Sequence, residues 1–512
     1  MSMSGDLLLS IDIGSSSCKA GLFDFNGRCL ATAKSQVLAK STEKGTGARE
    51  YDPYNWLSAA KKSIRSLSLS IGNLYDRVAC IGLSGQIGTH IVTTNSMEPI
   101  YPAISWQDGR AWEQANELAL QYPGFLLDSF IGMHLPPGTA WPIPRLLWIK
   151  ANEPHLLKKT KWIQPKDFLC YYLTGELVTD YLSLRGLMNP STHEIHSEVN
   201  NTILDLPDLP AMLPEAREAW DIAGYLRKSV ATSLKLKAGT PVVVGAGDFH
   251  CAVLGSGIME PGTGFNVSGT SDHIGLLVEK ENTHAKSEVL GRYPSLLPGK
   301  DILYGATSSS GGMLEWFVTN LGTKRKIESF SQYLDRTLKG QTRSGGILCL
   351  PYLNGERAPI WNSDARAIFA GIGAGHTKSE MLLSVMEGVA FSLCQNNEIL
   401  KSIATPCTRF QTSGASAQSC VWNKIKANVL KSRIVILESH EISCLGAAML
   451  AAVGAGIFKD TNEASSAMTH ETSIIDPDPK TYDYYDELFS CYQQEYVANI
   501  DIFHSLATIR KR

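Results

Sequence analysis

Two α/β domains are what this sequence predicts, on three observations. The chain has 512 residues, too many for one ordinary core. Strand–glycine turn–helix units recur, as in TPVVVGAGDFHCAVLGSG at Thr240–Gly257 and in TSGASAQSCVWNKIKANVL further on. Two stretches of one shape, strand, small polar turn, strand, stand in opposite halves: LLLSIDIGSSSCKAGLFD at Leu7–Asp24 and TGFNVSGTSDHIGLLV at Thr263–Val278. They read as a weak internal repeat. The boundary is expected near Gly255–Gly262, dividing the chain into residues 1–256 and 257–512.

Composition narrows the function. Hydrophobic content of 44% and charged content of 19% fit a globular rather than a disordered chain. A net charge of −3 offers no general reason to expect nucleic acid or an anionic membrane as partner. The 11 cysteines are scattered, odd in number and never spaced C-x-x-C, which argues against a disulfide framework or structural zinc and for a reducing compartment. No basic region precedes an apolar run at the N-terminus, and Asp6 and Asp12 interrupt the one candidate, so neither signal peptide nor membrane span is predicted and a cytoplasmic location is expected.

In chain order, Arg28–Val37 suits a strand. Tyr51–Leu69 has helical spacing, with Trp56, Ala60, Ile64 and Leu67 on one side. Val78–Leu83 is a short apolar strand followed by the loop SGQIGTH, and ISWQDGR at Ile104–Arg110 is a strand-to-loop boundary before a helix through Ala119. Phe125–Pro154, with PPG at Pro136–Gly138 and PIP at Pro142–Pro144, reads as an insertion at the mouth of a site that leads into a helix. WIQPKDFLCYYLTGELVTDY reads as loop, helix and return strand. In the second half, Gly345–Leu353 is a strand, Thr377 and Glu380 form a capping box, and SCLGAAMLAAVGAG is a small-residue helix suited to close packing. From Pro479 a last helix carries Tyr482, Tyr485, Phe489 and Tyr492 as a core stripe.

The opening stretch carries the first chemical signal. Gly14 lets backbone approach an anion, and the hydroxyls of Ser15, Ser16 and Ser17 can donate to it. Asp12 would repel a phosphate unless a cation lay between them, which suggests Mg²⁺. The same pattern also suits a plain surface hairpin. Asp248 follows a glycine turn at a predicted helix start, where it is either an N-cap or a functional carboxylate held ionised by the helix.

Taken together, these stretches resemble the FGGY carbohydrate kinases of the actin-like, ribonuclease-H-like ATPase superfamily. IDIGSSSCK resembles the family's first phosphate loop, GAGD the segment with the catalytic aspartate, and NVSGTSD the second phosphate loop. PYLNGERAPIWNSDARAIFAGI is similar to a stretch shared by xylulose and gluconate kinases, AIFAGIGAGHTKSEMLLSVMEG to the family's second signature, SGASAQSCVWNKIKAN to the adenosine loop, and CLGAAMLAA to the second connecting helix.

The resemblance implies two actin-like domains with a cleft between them, the sugar bound mainly by the first and ATP mainly by the second. It implies Asp248 as general base and Gln86, Trp106 and Asp108 as sugar contacts, WQDGR being similar to the sugar-contacting loop of ketose kinases. It places Gly14, Ser15, Ser16, Ser17 and Lys19 with Gly269 and Thr270 at the phosphates, Gly414, Ala415 and Asn423 at adenine and ribose, and Asp12 at Mg²⁺ through water. A homodimer is common in the family.

This chain departs from the family pattern at several positions. Arg145 stands where the first signature usually has Lys; Ile87, Gly88 and Thr89 replace the M-H-G of xylulose kinases; Ser413 replaces a glycine; and Asn423 and Asn428 stand where Gln and Asp are common. These put the substrate in question more than the reaction. The expected acceptor is a ketose such as D-xylulose, with gluconate, sedoheptulose, ribulose or a polyol as alternatives. His90 and His250 are read as core or loop residues. A regulatory nucleotide switch or an acyl-phosphate-forming kinase would share the phosphate hairpins but lack WQDGR or GERAPIW.

Overall fold

The run Leu7–Ile13 forms a strand buried along its whole length, and Ser17–Phe23 returns beside it antiparallel. The structure is a computed structural model that describes residues 5–40, 47–123, 125–134, 138–322, 328 and 330–510. It divides into two compact units. The first comprises Met1–Gly257, Tyr293–Lys300 and Glu441–Thr469; the second comprises Ile258–Arg292, Asp301–His440 and His470–Arg512.

These units differ from the expected 1–256 and 257–512 in placing Tyr293–Lys300 and Glu441–Thr469 with the first. The helix Ile442–Gly454 lies against the helix Asp248–Gly255 and the strands Leu7–Ile13 and Val78–Gly85, within the first unit. Small residues make the fit: a Cβ on Gly82 would strike the Ala447 carbonyl, and one on Gly446 the Cys251 carbonyl. At such contacts glycine is required because the partner is backbone and cannot move aside.

The described residues form two seven-stranded sheets, the first in the first unit and the second mostly in the second. In the first the strand order is Ile222–Tyr225, Pro241–Val243, Val78–Gly85, Leu7–Ile13, Ser17–Phe23, Cys29–Gln36, with Ala246–Gly247 also paired to Val78–Gly85. In the second it is Glu471–Ile475, Arg433–Leu437, Arg409–Gly414, Thr263–Ser268, Asp272–Glu279, Lys300–Ala306, Gly291–Pro294. Each hairpin's first strand pairs antiparallel with its return strand and parallel with the next strand inward, Val78–Gly85 in one unit and Arg409–Gly414 in the other. Outermost on that side, each sheet ends in an antiparallel strand. The repeat expected from two short stretches extends to the whole sheet.

The helix Pro53–Ile71 starts after Asp52, whose side chain accepts the Tyr54 N–H, and buries Trp56, Ala60, Ile64 and Leu67 as the spacing requires. Tyr51 belongs instead to the short strand Glu50–Tyr51. In the insertion, Pro136 and Pro137 lie outside the described residues, and PIP opens the helix Pro142–Asn152. The Thr377–Glu380 capping box closes in both directions at the head of the helix Lys378–Ile403. Of the tyrosine stripe on Tyr482–Ala498, Tyr485 and Tyr492 are buried, and the Tyr492 hydroxyl meets that of Tyr352 at 2.5 Å. No helix of the described residues is long and apolar enough to cross a membrane.

Candidate active site

Strand register assembles the first unit's site. Asp12 pairs with Ser84 on one side and Lys19 on the other, while Ala246 and Gly247 pair with Ser84 and Gly85 from the opposite edge. Ser84 thus lies between the strand ending at Asp12 and the one leading into Asp248. Its hydroxyl donates to Asp12 Oδ1 at 2.8 Å. Burial pushes the Asp12 carboxyl above the ordinary range; Lys19 and the Ser84 hydrogen bond oppose the rise, and Glu441 adds to it.

Asp248 is the first residue of its helix and only partly buried. Its Oδ1 accepts the Phe249 N–H at 2.8 Å. Burial and the charge of Asp12 push its pKa up to about 7, against the N–H groups of Phe249 and Ile87 and the charge of Arg185. The expectation that the helix start would keep it firmly ionised is therefore corrected: desolvation and a second carboxylate outweigh the N–H groups. A carboxyl held near neutrality is suited to accept a proton and pass it on.

The turn Gly14–Ser17 is closed by the Gly14 N–H donating to the Ser17 carbonyl at 2.9 Å, and Trp56 Nε1 donates to the Gly14 carbonyl. Ser16 is exposed at the tip, and Ser17 is buried in the return strand. Ser15 is drawn elsewhere. Trp106 Nε1 donates to Ser15 Oγ at 2.7 Å, and Ser15 Oγ donates to Gln86 Oε1 at 2.6 Å. One expected phosphate contact is thereby wired to two expected sugar contacts. Gln86 is 3% exposed, and its Nε2 is buried without a hydrogen-bond partner among the described residues. An orphaned amide donor costs about 1–3 kcal/mol, which a bound acceptor atom would recover.

Two expected contacts are engaged internally. Asp108 accepts the Arg49 N–H at 2.7 Å and the Arg110 guanidinium at 2.8–3.1 Å, and Arg110 also pairs with Glu50 at 3.0 Å. Asp108 therefore braces a loop, and a direct sugar contact would need it to release these donors. Lys19 forms an ion pair with Glu441, a partner distant in sequence that no motif announced. Burial works against the Lys19 charge, but Glu441 and Asp12 outweigh it and raise its pKa.

Arg145, the departure in the first signature, is buried. Its guanidinium donates to the carbonyls of Gly88, Ile104, Ser105 and Thr139 and to His90 Nδ1, the last at 3.0 Å. A lysine has three donors and no planar fork, so it could not hold both loops in this way. Burial pulls Arg145 down to about 9 and, with the charges of Arg145 and Arg185, keeps His90 neutral. His90 stacks on Trp162 at 4.4 Å, so the core reading of this histidine fits its surroundings.

In the second unit, Gly269 and Thr270 are exposed at the tip of the hairpin Thr263–Glu279. Their carbonyls accept N–H groups of Ser310, Gly311 and Gly312 at 3.0–3.1 Å. The small-residue run GATSSSGG stands outside the motifs of the sequence reading, although glycines and serines ahead of a helix are a usable signal. Gly414 has φ of +89°, and a Cβ there would strike the Ser268 carbonyl, so glycine is required. Asn423 is buried and its Nδ2 donates to the Ala417 carbonyl at 2.8 Å, which makes it a brace of the loop. The side chain of Ala415 lies outside what the structure describes.

The Asp12 site was tested for a cation. Its carboxylate is desolvated and has one hydroxyl donor, a deficit that a cation would offset. Among the described residues no group of three or more His, Cys, Asp or Glu converges on a metal position.

Comparison with known proteins adds the family. Residues 7–255 match the N-terminal domain of the FGGY family of carbohydrate kinases, and residues 264–455 match its C-terminal domain. The chain is 29% identical over 504 residues to the xylulose kinase of Lactococcus lactis subsp. lactis, covering 98% of both chains. It is 27% identical over 491 residues to the gluconokinase of Bacillus subtilis, covering 93% of both. Among solved structures, a xylulose kinase from Lactobacillus acidophilus aligns with a TM-score of 0.85 at 24% identity, over 98% of this chain and 99% of that one. A gluconate kinase from the same organism aligns with a TM-score of 0.84 at 25% identity, over 98% and 100%.

Proposed function

Because the chain belongs to the FGGY family of carbohydrate kinases, and so is a phosphotransferase acting on a sugar hydroxyl, we propose that it moves the γ-phosphoryl of MgATP to a ketose such as D-xylulose, with Asp248 as general base. The observation that carries the base assignment is the Asp248 carboxylate itself: half-buried at a helix start, across Ser84 from Asp12, and pushed to about 7. Asp248 orients the acceptor hydroxyl and takes its proton as the oxygen–phosphorus bond forms and the bond to the ADP oxygen breaks. Gln86 Nε2 donates to a sugar oxygen, and Trp106 offers a ring face while its Nε1 fixes Ser15.

In the first unit Ser16 and the Gly14–Ser17 backbone are the candidate phosphate donors; in the second, Gly269 and Thr270 are the candidate phosphate residues and Gly414 the candidate nucleoside residue, as the family resemblance implies. Asp12 would hold Mg²⁺, which would supply neutralisation of the phosphate charge. The support for a ketose is the weight of xylulose kinases among the relatives; gluconate is the second reading, supported by the gluconokinase relative.

The test is sugar-dependent ADP release, measured by a coupled assay over pentuloses, heptuloses, gluconate and glycerol. Turnover with D-xylulose above the other neutral acceptors supports the reading. ATP hydrolysis indifferent to every acceptor would refute it.

A further inference from the structure

The GERAPIW stretch holds a buried carboxyl group that the mechanism above does not use. Glu356 is 3% exposed. Its backbone exchanges two hydrogen bonds with Asn362, each of 2.9 Å, which close the turn that carries it. Its Oε1 accepts the N–H groups of Ser308 and Arg357. Its Oε2 accepts the Ser392 hydroxyl at 3.2 Å, from the helix Lys378–Ile403. Burial pushes the carboxyl up to about 7, against these donors and the charge of Arg357.

Ser308 belongs to GATSSSGG, between the strand Lys300–Ala306 and the helix Gly311–Asn320. One set of bonds ties this run to the second hairpin. The Thr307 N–H donates to the Asp272 carbonyl at 2.9 Å, the Ser310 and Gly312 N–H groups to the Thr270 carbonyl at 3.0 Å, and the Gly311 N–H to the Gly269 carbonyl at 3.1 Å. The fit is close: a Cβ on Gly311 would stand 2.6 Å from the Gly269 carbonyl oxygen, and one on Gly312 2.9 Å from the Thr270 side chain. Another set ties the run to GERAPIW. The Ala358 N–H donates to the Ala306 carbonyl at 3.0 Å, the Arg357 guanidinium to the Thr307 carbonyl, and the Ser308 N–H to Glu356.

Burying a carboxyl group costs desolvation, and core packing gives no reason for it. What it supplies here is position. One oxygen joins the GATSSSGG run to the GERAPIW turn, and the other fastens both to a long helix. Phosphoryl transfer is sensitive to such placement, since a displacement of about 1 Å in a reacting group can cost about 10²-fold in rate.

We propose that Glu356 is a positioning residue for the phosphoryl transfer: through residues 306–312 it holds the hairpin tip at Gly269 and Thr270 where the phosphates of the nucleotide are received. This rests on the reading of that tip as a phosphate loop.

The experiment compares wild type, Glu356→Leu, Glu356→Gln and Glu356→Asp. It measures ADP release with the best acceptor of the assay above, thermal unfolding, and hydrogen exchange with and without MgADP. In Glu356→Leu, kcat/KM for ATP should fall about 10- to 100-fold. The KM for the acceptor should stay within about threefold, because the sugar contacts are untouched. Glu356→Gln keeps an acceptor oxygen for the two N–H groups and offers its amide to the Ser392 oxygen, so it should recover most of the loss. Glu356→Asp keeps the charge but is too short to reach Ser308 and Ser392 together, so its activity should lie below that of Glu356→Gln. Exchange should quicken in residues 306–312 and at the hairpin tip in Glu356→Leu, and MgADP should slow it at the tip in the wild type. A Glu356→Leu enzyme that only unfolds at lower temperature, with wild-type exchange at the tip and wild-type kinetics, would overturn the proposal and leave Glu356 a core group. So would equal losses for ATP and acceptor. If Glu356→Leu does not fold, the order of the other two variants decides, and Glu356→Asp at or above Glu356→Gln would overturn it. Failure of MgADP to slow exchange at the wild-type tip would overturn the phosphate-loop reading, and the proposal with it.

Discussion

The two hairpins share a topology and differ in what their charges do. In the first, the charged groups stand near the tip: Asp12 under Ser84, Lys19 on Glu441, with the lysine and the glutamate each about a third exposed. In the second, the charge is sealed beneath the turn. Lys426, from the helix Cys420–Leu430, reaches Asn266 Oδ1 at 2.8 Å and Asp272 Oδ2 at 3.2 Å, with both ion-pair side chains fully buried. Burial pulls the Lys426 pKa down and Asp272 resists. One sheet design thus serves two ends. In the first unit the Lys19–Glu441 pair is kept within reach of solvent while Asp12 is buried; in the second the buried pair ties the hairpin to the helix Cys420–Leu430.

That contrast can be broken at several points. The largest effect is expected at Asp248→Asn, where loss of the base should lower kcat by about 10²–10⁴-fold, roughly 3–5 kcal/mol of barrier, with little change in unfolding temperature. Wild-type turnover in this variant would remove Asp248 from the mechanism. Lys426→Met should instead act on stability, by about 3–5 kcal/mol, because it leaves the buried Asp272 carboxylate unpaired. Hydrogen exchange in the strands Thr263–Ser268 and Asp272–Glu279 reads this directly, and unchanged protection there would mean that the pair is no tie.

The pH profile comes next. A base whose pKa is raised to about 7 keeps its proton at lower pH, so kcat/KM should fall about tenfold per pH unit below 7 and level off above it. A flat profile down to pH 5 would mean that the group stays ionised. The smallest effect belongs to Trp106→Phe, which keeps an aromatic face and deletes the donor to Ser15. The KM for the sugar should rise about 3- to 10-fold; a change in the KM for ATP alone would assign the Trp106–Ser15–Gln86 chain to the phosphates instead.

Local sequence was enough for the secondary elements. The apolar runs, the glycine turns, the Thr377–Glu380 capping box and the Trp56–Leu67 stripe are each set within a few residues, and the structure places them within two or three residues of expectation. The site was less legible. Gln86, Trp106 and Ser15 were each singled out, but as members of two different sets, and only packing joined them. Asp108 looked like a sugar contact because a carboxylate beside an aromatic loop is a familiar sign; its pairing with Arg110 is local, two residues on, but its engagement with Arg49 depends on a loop some sixty residues earlier in the chain.

What the sequence by itself determined is therefore the pattern: two α/β halves, hairpins with small polar tips, and an aspartate after a glycine turn at a helix start. Tertiary structure decided the rest. It returned Glu441–Thr469 to the first unit, because a helix of small residues could bury its surface only against glycine and backbone there. It set the charge state of Asp248, because desolvation and the field of Asp12 depend on strand register and not on neighbours in the chain. It laid the Arg185 guanidinium over the rings of Trp141 and Tyr293, a circumstance that depends on where residues 141, 185 and 293 meet in space.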